Sequence, residues 1–346
     1  MRINIRKHNW GVRRMMGLAS VAALGAIAAA CGSTSASTTT TTAAASSSTT
    51  AAKAQYTLAY VPGVTGIAFY DSLAAGMKSE ATKLGMKFIY QGAAAFSPSA
   101  QTPIVNGVCT QKPSVLVVSP TDPVAMAPAI NSCLSAGIPV ITTDTTLTDA
   151  SKITSQITTS NAEGGKLAAD FIGKAIGGSG QVAILSISAT ATTQVARAQG
   201  FENEIKAAFP NISVVALQYT GQAIADSTTA VNALMLAHPG IKAFFAVSGT
   251  GAEGAADAFS ANGTTGKVTV VGFDAGPNSV KMLQAGQISA LVAQQASQEG
   301  VLAAQYAYDK LTGKTSSITA TVQLPDVLIT TADSKLASFS KYFYKL

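Results

Sequence analysis

Histidine is nearly missing from this chain, with 2 among 346 residues. His8 lies in the first thirty residues, and His238 sits in a His-Pro-Gly stretch that reads as a helix end. Ser-His-Asp catalysis and histidine-rich metal sites therefore lack material. No Gly-x-Ser-x-Gly elbow occurs either. A basic surplus is also missing from most of the chain. The formal charge is +6, but residues 1–30 hold five Lys or Arg and no acid, which leaves +1 for the rest. That balance offers no footprint for nucleic acid or for acidic membranes. Beyond residue 30, no apolar run approaches the ~20 residues that a spanning helix needs. Tryptophan is confined to Trp10, so fluorescence of the remainder rests on tyrosine.

The first fifty residues carry a clear order. A basic segment (Arg2, Arg6, Lys7, Arg13, Arg14) precedes an apolar, small-residue run from Met15 to Ala30, then Cys31, then Ser, Thr and Ala almost without interruption to Ala52. Residues 1–30 read as an export signal and 31–55 as an attachment point and tether. Cys31 after small residues resembles the lipobox of bacterial lipoproteins, although Ala28 stands where those signals usually have Leu. The alternative is an ordinary cleaved signal with an incidental cysteine. On the first reading a lipid on Cys31 holds the protein to the outer face of the membrane, and stable anchoring takes more than one acyl chain. The tether has too little bulky apolar surface to offset its chain entropy and is expected to be disordered.

From Tyr56 onward, β-rich runs alternate with segments of helical period. Tyr56–Val61, Met86–Tyr90, Ser114–Val118, Pro139–Thr142 and Gln156–Thr159 read as strands, and Phe69–Leu84, Thr102–Gln111 and Val124–Ala136 as helices. A second series follows: helix Asn161–Ile176, strand Gln181–Ser186, helix Gln194–Phe209, strand Ile212–Leu217, helix Ser227–His238, strand Ala243–Val247, helix Gly251–Asn262, strand Lys267–Gly272. This pattern predicts an α/β protein of two Rossmann-like lobes, each a parallel sheet flanked by helices. Ligand contacts in such sheets gather at the carboxyl ends of strands, and two facing rims would form a cleft for a small molecule. Cys109 and Cys133 are left open between a disulfide, permitted by export, and two buried thiols.

Four motifs occur in order, three at those strand ends and the third within the helix read over Gln194–Phe209: Ser119-Pro120-Thr121-Asp122, Gly137 to Asp144, Arg197-Ala198-Gln199-Gly200-Phe201 and Val270 to Asp274. Together they resemble the type 1 periplasmic binding proteins, in the ribose-binding-like branch that feeds sugar ABC transporters. The resemblance covers Tyr56 to about Thr330. It implies three hinge crossovers, with one lobe from 56–158 plus 296–323 and the other from 159–295 plus 324–346. It also implies site residues. Phe69 and Tyr70 match an aromatic pair that sandwiches a sugar ring, Asp144 and Asp274 match carboxylates that accept from sugar hydroxyls, Arg197 matches a guanidinium fork, and Gln294 matches a glutamine at the last crossing. A bland role for the two aspartates is helix capping. Ile67, Thr145 and Ser248 depart from the branch, which has Asn, Arg and Asn there, and Gln222 falls near a position that is usually aromatic. Thr145, Gln222 and Ser248 remain candidate ligand contacts in a roomier or less polar cavity.

The resemblance implies a monomeric, non-enzymatic solute-binding lipoprotein without a cofactor or metal, serving an ABC permease. Two alternatives stand beside it. One is a sensor for a chemoreceptor or kinase. The other is an NAD-dependent oxidoreductase, because Gly249-Thr250-Gly251-Ala252-Glu253-Gly254 follows a predicted strand and Asp274 lies twenty residues past the last glycine. Export argues against the oxidoreductase, as does the motif's position deep in the chain. A repressor would need a helix-turn-helix where this chain has its signal.

Overall fold

The computed structural model of the chain describes residues 55–344. The export signal, Cys31 and nearly all of the tether lie outside the described residues. The first βα series runs β1 (Thr57–Val61), α1 (Ala68–Lys83), β2 (Lys87–Tyr90), α2 (Pro98–Thr110), β3 (Val115–Val118), α3 (Ala127–Ser135), β4 (Val140–Thr143) and β5 (Ser155–Thr159). The second runs α4 (Asn161–Ala175), β6 (Ser179–Ser186), α5 (Thr192–Ala208), β7 (Asn211–Tyr219), α6 (Ile224–Ala237), β8 (Ile241–Ala246), α7 (Gly249–Ala261), β9 (Thr269–Phe273), α8 (Pro277–Gln284) and β10 (Ala290–Ala293). The chain then returns through α9 (Ala296–Leu311), β11 (Thr321–Leu324) and β12 (Val327–Thr330).

Two separate sheets result, ordered β11-β5-β4-β3-β1-β2 and β12-β10-β9-β8-β6-β7. Every pairing is parallel except β10 with β12. Central strands such as β3 (Val-Leu-Val-Val) are buried at every position, as a parallel strand covered on both faces must be. The chain passes between the sheets three times, after β5, after β10 and after β11. The two orders are the same pattern written twice, so β4 and β9 occupy equivalent positions.

Two glycines bring α4 and α5 into close contact. A Cβ on Gly165 would lie 2.1 Å from the Arg197 carbonyl oxygen, and one on Gly200 2.1 Å from that of Ala162. Gly200 of the Arg-x-x-Gly-Phe motif is thus a packing residue that holds Arg197 against the start of α4.

Some helix starts differ from expectation. α2 begins at Pro98, where Ser97 accepts from Ala100 N, and it tolerates Pro103 within its length. α3 begins later than expected, because Asp122 Oδ1 accepts from Val124 N and Ala125 N and holds that stretch as a turn. The Ser119-Pro120-Thr121-Asp122 edge is fixed from behind by buried Gln101, which donates to the Pro62 and Ser119 carbonyls at 2.9 and 2.7 Å and accepts from Thr121 N at 2.9 Å. Cys109 of α2 and Cys133 of α3 are joined as a disulfide, Cα to Cα 5.4 Å. Among the described residues, no helix is long and apolar enough to cross a membrane.

Candidate functional site

The carboxyl ends of both sheets line a cavity of about 310 Å³. β4 and β9, the equivalent strands, each end in an aspartate with left-handed backbone, Asp144 at φ 62° and Asp274 at φ 72°. Lys112 is the other non-glycine with positive φ among the described residues. Aspartate tolerates this conformation better than most residues, and such departures gather where function holds them. Helix capping is therefore not what these two side chains do.

Asp144 Oδ2 accepts from the Tyr70 hydroxyl at 2.8 Å, and its backbone N–H donates to Glu299 Oε2 at 3.0 Å. Burial pushes the Asp144 carboxyl up to about 6, against the pull of Arg197 and the Tyr70 hydrogen bond. Asp274 Oδ1 accepts from Gln294 Nε2 at 2.6 Å and from the Tyr344 hydroxyl at 3.0 Å. Gln294 uses its other end to accept from Thr159 Oγ1 at 2.9 Å.

Arg197 is buried, and its guanidinium lies 3.8 Å over the centre of the Phe273 ring. Nε donates to Asn161 Oδ1 at 2.7 Å and Nη1 to the Val247 carbonyl at 3.0 Å, while Nη2 is buried without a partner. A fixed cation with an unused donor, in the same cavity wall as two carboxylates, suits a ligand that both donates and accepts.

Phe69 and Tyr70 stand in the first turn of α1, both 4% exposed. Their rings meet edge to face, 5.2 Å between centroids at 71°, so they form a corner of the wall and not two parallel plates. Ser248 lines the cavity, but its hydroxyl caps α7 by accepting from Gly251 N at 3.3 Å. Gln222 also lines it, with Oε1 buried and unpartnered.

Eight of the nine sequence-derived ligand residues thus share one cavity wall, and Thr145 does not. Its side chain is buried beside the left-handed Asp144 with Oγ1 unpartnered, away from the lining. The turn at Asp144 that aims one side chain inward carries the next one out of the wall.

Sequence reasoning missed Tyr344, whose ring packs on Phe69 at 5.8 Å and whose hydroxyl reaches Asp274. No pattern announces an aromatic so far along the chain from the residues it touches. It also missed Asn161, Glu299 and Asp326 around Arg197. Asn161, the first residue of α4 after a crossing, was the one a close reading of the boundaries could have found. Asp326 follows the last crossing, with both carboxylate oxygens buried and unpartnered, and burial lifts it to about 7 despite Arg197 nearby. Burial also pushes fully buried Glu299 well up.

Two parallel-sheet lobes with a polar, ring-lined cavity at their carboxyl ends define a solute receptor. A family model described as periplasmic binding protein domain matches residues 58–315. The ribose import binding protein of Bacillus subtilis is 32% identical over 262 residues, spanning 76% of this chain and 84% of its own length. Its namesake in Escherichia coli is 31% identical over 263 residues, spanning 76% and 87%. An ABC transporter solute-binding protein from Agrobacterium vitis, solved with α-D-tagatopyranose, is 28% identical with a TM-score of 0.81, covering 84% of this chain and 100% of that one. The chain belongs to the periplasmic binding protein family, and is accordingly a binding protein and not an enzyme. The glycine-rich run at α7 is packing: a Cβ on Gly254 would lie 2.5 Å from Ser227 Cβ and 2.6 Å from the Ile224 carbonyl of α6.

Proposed function

We propose that this chain captures a small sugar or polyol between its two lobes and delivers it to an ABC permease. The observation that carries the reading is the pair of equivalent aspartates, one from each sheet, facing Arg197 with its free Nη2. Hydroxyls of a sugar donate to the carboxylates and accept from the guanidinium, while Phe69, Tyr70 and Tyr344 offer ring surface to its C–H faces. Relatives named for ribose import, and a structural neighbour holding tagatose, support sugar as the class. Asp144, Arg197, Gln222, Asp274 and Gln294 are the proposed contacts, with Ser248 on the wall.

The export signal and a lipid on Cys31 would hold the protein, as a monomer, outside the cytoplasmic membrane, in keeping with the extracytoplasmic setting of the family. The lobes are proposed as 56–158 plus 296–323 and 159–295 plus 324–346. A thermal-shift screen of sugars, polyols, nucleosides and NAD tests the reading. Ligand at 100 times its dissociation constant adds about 2.7 kcal/mol of stability, several degrees for a chain this long. Stabilisation by NAD and by no carbohydrate would overturn it.

A further inference from the structure

The cavity has a second polar end that the aspartate–arginine group does not use. It lies on the second lobe, where α6, α7 and α8 meet. Thr250 and Glu253 stand three apart on α7 and so share a face. Ser279 of α8 donates to Glu253 Oε1 at 2.7 Å, and the Ser279 backbone and the Asn278 side chain also support this carboxylate at the cavity wall. Thr250 Oγ1 and Gln222 Oε1 are both buried with no hydrogen-bond partner. Native interiors leave few such atoms unpaired, and at a ligand cavity an orphan acceptor or hydroxyl marks where a partner group belongs.

The two polar ends are contiguous. Gly249 sits between them: a Cβ there would lie 3.5 Å from Ser279 Oγ and 3.7 Å from Asp274 Cβ. A ligand held by Asp274 can therefore extend directly toward Glu253. The two unpartnered atoms of the second end, Gln222 Oε1 and Thr250 Oγ1, can both accept a hydrogen bond, while the donors of Asn278 and Ser279 are turned to Glu253. These two atoms call for hydroxyl donors on a short arm outside the ring.

We propose that Glu253, Thr250 and Gln222 form a subsite for a hydroxyl-bearing exocyclic arm, so that the protein selects a hexose over the pentose of the same ring configuration. This rests on the sugar-binding reading above. A pentose leaves the second end unpaired, and sites built to hydrogen-bond a hydroxyl discriminate strongly against analogues that lack it.

Three pairs of pyranoses differ only by that arm: D-ribose and D-allose, D-xylose and D-glucose, L-arabinose and D-galactose. Calorimetric titration of the purified protein with all six is the test. For the ring configuration that binds best, the hexose should bind at least about tenfold tighter than its pentose. In Glu253→Gln and in near-isosteric Thr250→Val the hexose should lose several-fold more than the pentose, so that the ratio moves toward one. A melting curve for each variant shows that it is folded, and Thr250→Val carries the test should Glu253→Gln not fold. A pentose that binds as tightly as its hexose overturns the inference while the sugar reading stands, and so do variants that weaken both members equally. A protein that binds none of the six overturns the inference, and the thermal-shift screen of other sugars and polyols then decides the sugar reading separately.

Discussion

Asp144 and Asp274 are the residues on which the proposed recognition rests. Asp274 accepts from Gln294 and Tyr344, and on the proposed reading it offers the rest of its acceptor capacity to the ligand. Asp274→Ala should weaken sugar binding at least about tenfold, the scale of one hydrogen bond to a charged group, with the melting curve still cooperative. An unchanged dissociation constant by calorimetry removes Asp274 from the site. Burial raises Asp144 to about 6 and Asp326 to about 7, and pushes Glu299 upward as well. A carboxyl whose folded value exceeds its unfolded value keeps a proton that the unfolded chain has already lost. For Asp144 and Asp326, stability therefore falls as pH rises from about 4 to about 7, by on the order of 1 kcal/mol or more each. Denaturation midpoints at pH 5 and pH 8 check this, and Asp326→Asn should flatten the slope. A midpoint that rises over that interval in both proteins would contradict it.

At the scale of elements, the alternation of strands and helices was legible because buried parallel strands and amphipathic helices have different periods. Asn161 was placed at the start of α4 from sequence, and Gly85, Gly137 and Gly286, just past the ends of α1, α3 and α8, have the positive φ that a left-handed cap requires. What was not legible depended on distant partners. Asp122 turning the chain before α3 is one case, and Tyr344 reaching Phe69 is another. The site was legible as far as strand ends could announce it, and the Thr145 expectation failed because a backbone twist at Asp144 is invisible in residue types. Gly200→Ala forces α4 and α5 apart and should cost roughly 1–3 kcal/mol in chemical denaturation. It should also weaken binding, because Arg197 then loses its distance to Asn161. The Cys109–Cys133 bridge, 24 residues apart, constrains the unfolded chain by roughly 3–4 kcal/mol. Cys109→Ser with Cys133→Ser should melt several degrees lower, and an unchanged melting temperature would deny the bridge that role.

On the scale of the whole molecule, the lipid anchor proposed at Cys31 is open to a direct test. Cys31→Ser should move the protein from the detergent phase to the aqueous phase in a phase-partition assay of cells. The parent chain partitioning into the aqueous phase as well would remove the lipid from the account. The two sheets share one strand order, and each ends its equivalent strand in the same kind of aspartate. On the proposed reading, recognition is divided between two near-copies of a single design, each approaching the guest from its own side. Natural variation can then retune one partner's taste while the other keeps its grip, so a lineage can exchange one cargo for another without passing through a carrier that holds nothing.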